Sequence, residues 1–157
     1  MVIIFNLSLL VTTNHTQPEP NLDCKGSLSW TGVNPGATVK SSFTTENIGD
    51  SYSKLDWEVV KWPNWGTWEF DPKTGNDLTP EEGKIAVKAT VVAPNQLNKE
   101  FTGEVKIVNQ ENSSDYEIIP VSLITPRNKP TKFTFYFLNR LFQRFQNIMV
   151  LLRNLSI

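Results

Sequence analysis

Two tryptophans of the motif WPNWG, Trp62 and Trp65, are the side chains of this sequence best suited to hold a ligand. They belong to Leu55–Pro72, a stretch that contains four of the chain's five tryptophans. An exposed indole can stack on a sugar ring, because it joins a flat apolar face to a polar N–H group. Large aromatic side chains more often fill a core, so we favour rings that plug the end of a folded domain. Carbohydrate binding by Trp62 and Trp65 is the alternative.

Four carboxylates close to this stretch suggest a calcium site. They are Asp71, Asp77, Glu81 and Glu82. Calcium takes about six to eight oxygen ligands in a set geometry, and the spacing of these residues matches no calcium-binding loop. We therefore predict a solvated acidic loop and expect neither a metal ion nor another cofactor.

The sequence shows no pair of residues placed to act as nucleophile and base. Cys24 is the only cysteine, and the only histidine, His15, lies in a polar segment without a partner. A single cysteine excludes a disulfide within the chain and is too little for a metal site. We expect a protein without catalytic activity.

The net charge of −1 conceals two parts of opposite charge. Residues 1–126 hold nine Lys and Arg against all sixteen Asp and Glu, which leaves −7. Residues 127–157 hold six Lys and Arg and no acidic residue, which leaves +6. Nucleic-acid binding needs a basic face toward the phosphates, so we do not expect it of the acidic part.

These candidate residues depend on β-strands for their positions. Leu55, Trp57 and Val59 alternate with Asp56 and Glu58, which predicts a strand with one buried face and a buried Trp57. The motif WPNWG then breaks the strand, and alternation resumes in the segment TWEFD. The stretch is therefore predicted to form a strand, an aromatic corner and a second strand.

Similar alternation recurs between Cys24 and Thr125, and no helical period interrupts it. The other predicted strands cover residues 26–31, 38–47, 84–93, 100–109 and 115–125. A polar loop is expected at residues 73–83, and a bulge at Pro120, where the apolar residues change sides. Seven short strands predict an all-β fold, a seven-stranded immunoglobulin-like β-sandwich.

Both ends of the chain differ from this middle part. Residues 1–22 combine an apolar leader, too short to span a bilayer, with a proline-containing linker. The leader has the length of a signal-peptide apolar region but no basic start and no clear cleavage site. The sandwich is predicted for residues 23–126, and a basic amphipathic tail for residues 127–157.

From Phe133 onward, apolar residues return every three or four positions, which predicts a C-terminal amphipathic α-helix. The opposite face carries arginines, asparagines and glutamines. We expect the apolar face to dock on a membrane surface or on a partner, and folding back on the sandwich is the alternative. The docking residues are Leu138, Leu141, Phe142, Phe145, Met149 and Leu152.

Two segments resemble immunoglobulin-like modules of prokaryotic cell-surface proteins. SLSWTGVNPGATVKSSFTTENIGDSYSKLDWEV has an apolar strand, a PG turn, an alternating strand ending in N-x-G-D, and then L-x-W. FTGEVKIVNQENSSDYEIIPVSL matches the closing strands. Over about Cys24–Thr125 the chain is also similar to BACON carbohydrate-associated domains and to ASH-type sandwiches. The resemblance implies a β-sandwich that serves as a spacer or adhesive unit.

Together these observations favour a non-catalytic module that is extracellular or associated with the cell surface, with a protein or a glycan as partner. The main interpretation is a spacer or adhesion unit. The alternative is a carbohydrate-binding module that uses Trp62 and Trp65. Export would also make Asn112, in a sequon within a predicted turn, a candidate for glycosylation.

Overall fold

The computed structural model describes residues 17–127 and, further on, Arg140, Leu141, Gln143 and Phe145. The described residues form nine β-strands and one 3-10 turn, Pro80–Glu82. The strands are β1 (Leu22–Lys25), β2 (Leu28–Thr31), β3 (Thr38–Asn47), β4 (Leu55–Lys61), β5 (Thr67–Asp71), β6 (Thr74–Leu78), β7 (Ile85–Val92), β8 (Glu100–Asn109) and β9 (Tyr116–Ile124). The predicted all-β fold is confirmed, but the predicted number of seven strands is wrong, because the described residues form nine.

The strands form two sheets that pack face to face. One sheet has the order β1-β3-β7-β5, and the other has the order β2-β9-β8-β4-β6. Neighbouring described strands are antiparallel, except that β2 runs parallel to β9. The two strands of the Trp-rich stretch, β4 and β5, lie in opposite sheets, so the aromatic corner crosses the end of the sandwich.

The strand predicted at residues 26–31 forms β2, and a further strand, β1, precedes it in the other sheet. Gly26, between them, has a φ of +140°, and a Cβ there would lie 3.1 Å from Cβ of Phe43. Glycine adopts this conformation readily, so it can redirect the chain from the first sheet to the second. β1 was not predicted, because its four residues include only two buried side chains, Leu22 and Cys24, which is too few to show alternation.

Backbone pairing begins earlier than the predicted domain boundary at residue 23. The N–H of Asp50 donates to the carbonyl oxygen of Glu19 (3.0 Å), so the segment before β1 lies along the loop that follows β3. Leu22 belongs to β1 and is 2% exposed. Residues 19–22, which we predicted as linker, are therefore joined to the sandwich by hydrogen bonds and by burial.

The predicted polar loop at residues 73–83 contains the edge strand β6. It pairs with β4 from Leu55↔Leu78 to Glu58↔Thr74. Leu78 is its one buried residue, and Gly75 lies against the indole of Trp57, where a Cβ would lie 2.4 Å from Nε1. An edge strand with one buried side chain has no apolar alternation, which is why the sequence pattern missed it.

The prediction of a bulge at Pro120 is wrong. Pairing between β8 and β9 runs without a break from Glu100↔Ile124 to Val108↔Tyr116. Tyr116 and Ile118 face outward and are exposed, so the inward set of β9 does not change sides. Pro120 precedes the residues that pair with β2, where β9 has one neighbour, and this position accommodates its missing N–H.

The core lies between the sheets in two clusters. The larger cluster contains Trp57, which is 0% exposed as predicted, together with Phe43 and Val87 from the facing sheet. The smaller cluster lies at the end where the aromatic corner crosses. It consists of Val33, Ala93, Phe101 and Leu123. Trp65 packs against both clusters and thus joins them.

Most of the predicted C-terminal helix, and the predicted leader, lie outside the described residues, so both stay predictions. The four described residues of the tail are helical and exposed, with Leu141 41% and Phe145 56% exposed. The docking residues Leu138, Phe142, Met149 and Leu152 are not among them. Within the described part of the chain, no helix has the length and hydropathy needed to cross a membrane.

Candidate functional site

The motif WPNWG is fixed by two close contacts at the end of the sandwich. Gly66 has a φ of +69°, and a Cβ there would lie 2.6 Å from the carbonyl oxygen of Val92. Pro63 packs against Gly103 of β8, where a Cβ would lie 2.7 Å from Cγ of the proline. These contacts with β7 and β8 set the directions of the two candidate tryptophans.

Trp65 fills the end of the core. Its Nε1 donates to the carbonyl oxygen of Thr102 (2.9 Å). Its ring centroid lies 5.2 Å from that of Trp68 and 5.5 Å from that of Phe101, in tilted arrangements that stabilise aromatic pairs. The polar group of Trp65 is thus occupied by the backbone, and its ring is largely used for packing.

Trp62 is the more accessible of the two tryptophans, with 38% of its surface exposed. Its ring centroid lies 5.9 Å from that of Phe70, and Nζ of Lys73 lies 5.2 Å from the same centroid. Trp62 borders a shallow cleft of about 530 Å³. The cleft is lined by Lys61, Trp62, Pro63, Asn64, Thr102, Gly103 and Glu104. One exposed ring beside polar groups is the part of this corner that a sugar could reach.

Alanine substitutions should separate the roles of the two rings. Trp65→Ala is expected to lower the free energy of unfolding by about 2–4 kcal/mol, because it opens the end of the core. Trp62→Ala should lower the free energy of unfolding by less than about 1 kcal/mol, since the Trp62 ring is part of the surface. Urea unfolding of both variants measures the difference, and a larger loss for Trp62→Ala would contradict the assignment.

The four carboxylates that were weighed as a calcium site make separate local contacts instead. Asp77 forms an ion pair with Lys54 (3.0 Å), and the N–H of Thr79 donates to Oε2 of Glu82 (2.8 Å). Asp71 is exposed at the end of β5. In residues 17–127 and the four described tail residues, no group of three or more His, Cys, Asp and Glu is arranged to hold a metal ion.

Cys24 is buried in β1 and unsuited to act as a nucleophile. Its Sγ lies 3.4 Å from Oγ1 of Thr45. Burial raises the pKa of the Cys24 thiol from 9.0 to about 12, so the reactive thiolate is scarce at neutral pH.

This burial predicts slow labelling of Cys24. A thiol reagent at neutral pH should react with the unfolded chain at the rate of a free thiol and with the folded chain far more slowly. Because the folded pKa is raised, the thiol's contribution to stability is complete below about pH 9 and is lost as the pH rises toward 12. Rapid labelling of the folded protein would show that β1 opens readily.

Asn47, at the end of β3, holds three segments of the chain together. It is 1% exposed, and its Nδ2 donates to the carbonyl oxygens of Leu78 (2.9 Å) and Ser53 (3.3 Å). Its Oδ1 accepts from the N–H groups of Asn21 (3.1 Å) and Gly49 (3.0 Å). The side chain thus joins β6, the loop after β3 and the segment before β1.

The rest of the N-x-G-D motif supports the same junction. A Cβ at Gly49 would lie 2.3 Å from the carbonyl oxygen of Glu19, so only glycine allows this close approach. Asp50 accepts from the N–H of Glu19 through Oδ2 (3.1 Å). The motif is therefore explained by packing within the sandwich, and the sequence had not indicated that role.

The described residues define an immunoglobulin-like β-sandwich whose first two strands, β1 and β2, lie in opposite sheets. Among solved structures, the chain is similar to the ASH/PapD-like domain of human CEP192 (PapD-like domain 7), with 14% identity and a TM-score of 0.54. The match covers 81% of this chain and 100% of that one. It supports the predicted immunoglobulin-like fold but does not single out the BACON family.

A second solved structure, a Bacteroides ovatus GH5 xyloglucanase in complex with a XXXG heptasaccharide, is less similar. Its TM-score is 0.43 and its identity 17%, over 67% of this chain and 19% of the enzyme. Similarity at this level supports no conclusion about this chain. No protein-family model matches the sequence, and no curated protein matches it.

Proposed function

We propose that this chain is a non-catalytic immunoglobulin-like module that acts as a spacer or adhesion unit at the cell surface. Its partner is a protein or a glycan there, and its basic C-terminal tail docks on the membrane surface. A more specific relation to BACON-type modules belongs to the same proposal and rests on the sequence motifs alone.

One observation carries the non-catalytic part of this proposal. The side chains that could do chemistry are used to hold the sandwich together. Cys24 is buried against Thr45, Trp65 donates to the backbone of β8, and Asn47 joins three segments. A module built this way binds through its surface and its ends.

The tail supports membrane docking through its exposed apolar residues and its charge. Leu141 and Phe145 lie four positions apart, on one face of the predicted helix, and both are exposed. An apolar stripe beside basic residues binds anionic lipid surfaces, because burial of the stripe adds to electrostatic attraction.

Vesicle co-sedimentation of the full chain tests this docking. The double variant Leu141→Asp with Phe145→Asp should lose binding to anionic vesicles and keep the stability of the sandwich. High salt should weaken binding of the unaltered chain, because salt screens the attraction. Equal binding by the variant and the unaltered chain would contradict docking through the tail.

Surface location has a separate test in cells that express the protein. If the module is exported, protease added to intact cells should digest it. Export into a compartment that performs N-glycosylation would place a glycan on Asn112, which is exposed in the turn between β8 and β9. Complete protection from protease in intact cells, with digestion after lysis, would contradict a surface location.

Carbohydrate binding is the second candidate, and the exposure of Trp62 beside its cleft favours it. Phe70 and Lys73 support this ring, and Trp65 contributes no free polar group to a ligand. A glycan array with the full chain, with Trp62→Ala as the loss-of-binding variant, tests it. Binding that survives Trp62→Ala would remove the corner as a sugar site.

A further inference from the structure

We propose that the end of the sandwich from which the C-terminal tail leaves is a folded lipid-binding surface that faces an anionic membrane. This inference rests on the proposed membrane docking of the tail and adds a second contact, made by the sandwich itself. Three features of the described residues carry it: an exposed apolar tip, a fixed link between that tip and the tail, and the uneven charge of the two ends.

The turn between β7 and β8 forms the apolar tip. Leu97 is 45% exposed in this turn. Lys99 is the last residue of the same turn, and Arg127 begins the predicted tail; both are exposed. We call Leu97, Lys99 and Arg127 the exit surface. An apolar side chain flanked by cations is a combination that anionic lipid headgroups favour.

Hydrogen bonds hold this tip against the segment that leads to the tail. The N–H of Asn98 donates to the carbonyl oxygen of Pro126 (3.0 Å). Thr125 is 2% exposed; its N–H donates to the carbonyl oxygen of Lys99 (2.9 Å), and its Oγ1 accepts from the N–H of Lys99 (3.0 Å). The tip therefore keeps a fixed position beside the start of the tail, so a membrane that binds the tail comes close to the tip.

The two ends of the sandwich carry opposite charge. The connections on the exit side span residues 32–37, 62–66, 93–99 and 125–127. They contain Lys99 and Arg127; on the same side the exposed strand ends add Lys61 of β4 and Glu100 of β8, so three cations stand against one carboxylate. The connections on the opposite side span residues 17–21, 48–54, 79–84 and 110–115. They contain six acidic residues and two lysines.

This charge distribution orients the sandwich on an anionic surface. Lipid attracts the exit side and repels the opposite side, so the long axis of the sandwich points away from the membrane. Each cation close to such a surface strengthens binding about fivefold, and insertion of Leu97 adds apolar burial. The acidic end then points outward, where it is free to meet a partner.

Co-sedimentation of the full chain with phosphatidylcholine vesicles that contain about 30% phosphatidylserine tests this orientation. The variant Leu97→Asp with Lys99→Glu should bind at least about tenfold more weakly, because it removes apolar burial and reverses a charge. The matched control is Ile48→Asp with Lys54→Glu, which makes the same changes at the opposite end, where Ile48 is 52% exposed. The control should bind like the unaltered chain.

Equal loss of binding in the two double variants would overturn the proposal, since it would show an effect of net charge alone. We call Leu97→Asp with Lys99→Glu the exit variant and Leu141→Asp with Phe145→Asp the tail variant. If the tail variant does not bind while the exit variant binds normally, the tail docks on the membrane and the exit surface does not, which overturns the proposal. If the tail variant binds normally, the result contradicts docking through the tail, on which this proposal rests. The unaltered chain could instead form a salt-sensitive dimer without lipid, and the exit variant could fail to do so. That result would assign the exit surface to a second copy of the chain and would also overturn the lipid proposal.

Discussion

Trp57→Ala is expected to lower the free energy of unfolding by about 3–5 kcal/mol, the range for large buried aromatic residues. Trp57 is 0% exposed between the sheets, so its removal leaves a cavity bordered by both of them. The surrounding strands are held by their ladders and close such a cavity only in part. Urea unfolding followed by circular dichroism measures the loss, which should appear as a lower midpoint with an unchanged slope.

Trp57→Phe is the matched control for this truncation. It keeps much of the apolar volume and removes Nε1, which has no hydrogen-bond partner among the described residues. The loss of a buried unpaired N–H offsets part of the cost of the smaller ring, so this variant should lose less than half as much stability as Trp57→Ala. Equal losses would show that the volume of the indole is not what supports the core.

The position of Trp57 could be predicted because β4 carries a regular pattern. Leu55, Trp57 and Val59 alternate with charged residues in a strand that is buried on one face, and all three are fully buried. The same regularity gave β3 and β8 their correct bounds. A strand with several buried side chains on one face leaves this signal in any sequence.

The strands β1 and β6 left no such signal. β1 has only two buried side chains, and the change of sheet at Gly26 depends on the approach of Phe43 from another strand. β6 has a single buried residue, Leu78, because it lies at an edge. In both places the decisive contacts are tertiary, and a pattern within one segment does not contain them.

The candidate surfaces could be predicted only in part for the same reason. Composition singled out Trp62 and Trp65, but the corner's contacts with β7 and β8 decide that Trp65 is packed and Trp62 more open. Leu97 is a lone apolar residue in a polar turn, so nothing in the sequence marked it. Its importance comes from the hydrogen bonds of Thr125, which join two segments that are distant in the chain.

Asn47→Ala is expected to lower the free energy of unfolding by about 3–4 kcal/mol, although it removes no apolar surface. It leaves the carbonyl oxygens of Leu78 and Ser53 and the N–H groups of Asn21 and Gly49 without their partner. A buried polar group without a partner costs about 1–3 kcal/mol, and the less buried of these four groups can turn to water. Urea unfolding at neutral pH measures the loss, and a cost below about 1 kcal/mol would contradict the role of Asn47 as a junction.

Asn47→Asp separates the donor role of this side chain from its acceptor role. The carboxylate can still accept from Asn21 and Gly49, but it places a negative charge against the carbonyl oxygen of Leu78. Burial and this contact raise the pKa of the introduced carboxyl group above its unfolded value. A raised pKa means that stability is lost as the pH rises, so Asn47→Asp should gain stability relative to Asn47→Ala between about pH 7 and pH 5. Because other groups titrate alike in both variants, an identical pH profile would show that Asn47 does not donate to these carbonyl groups.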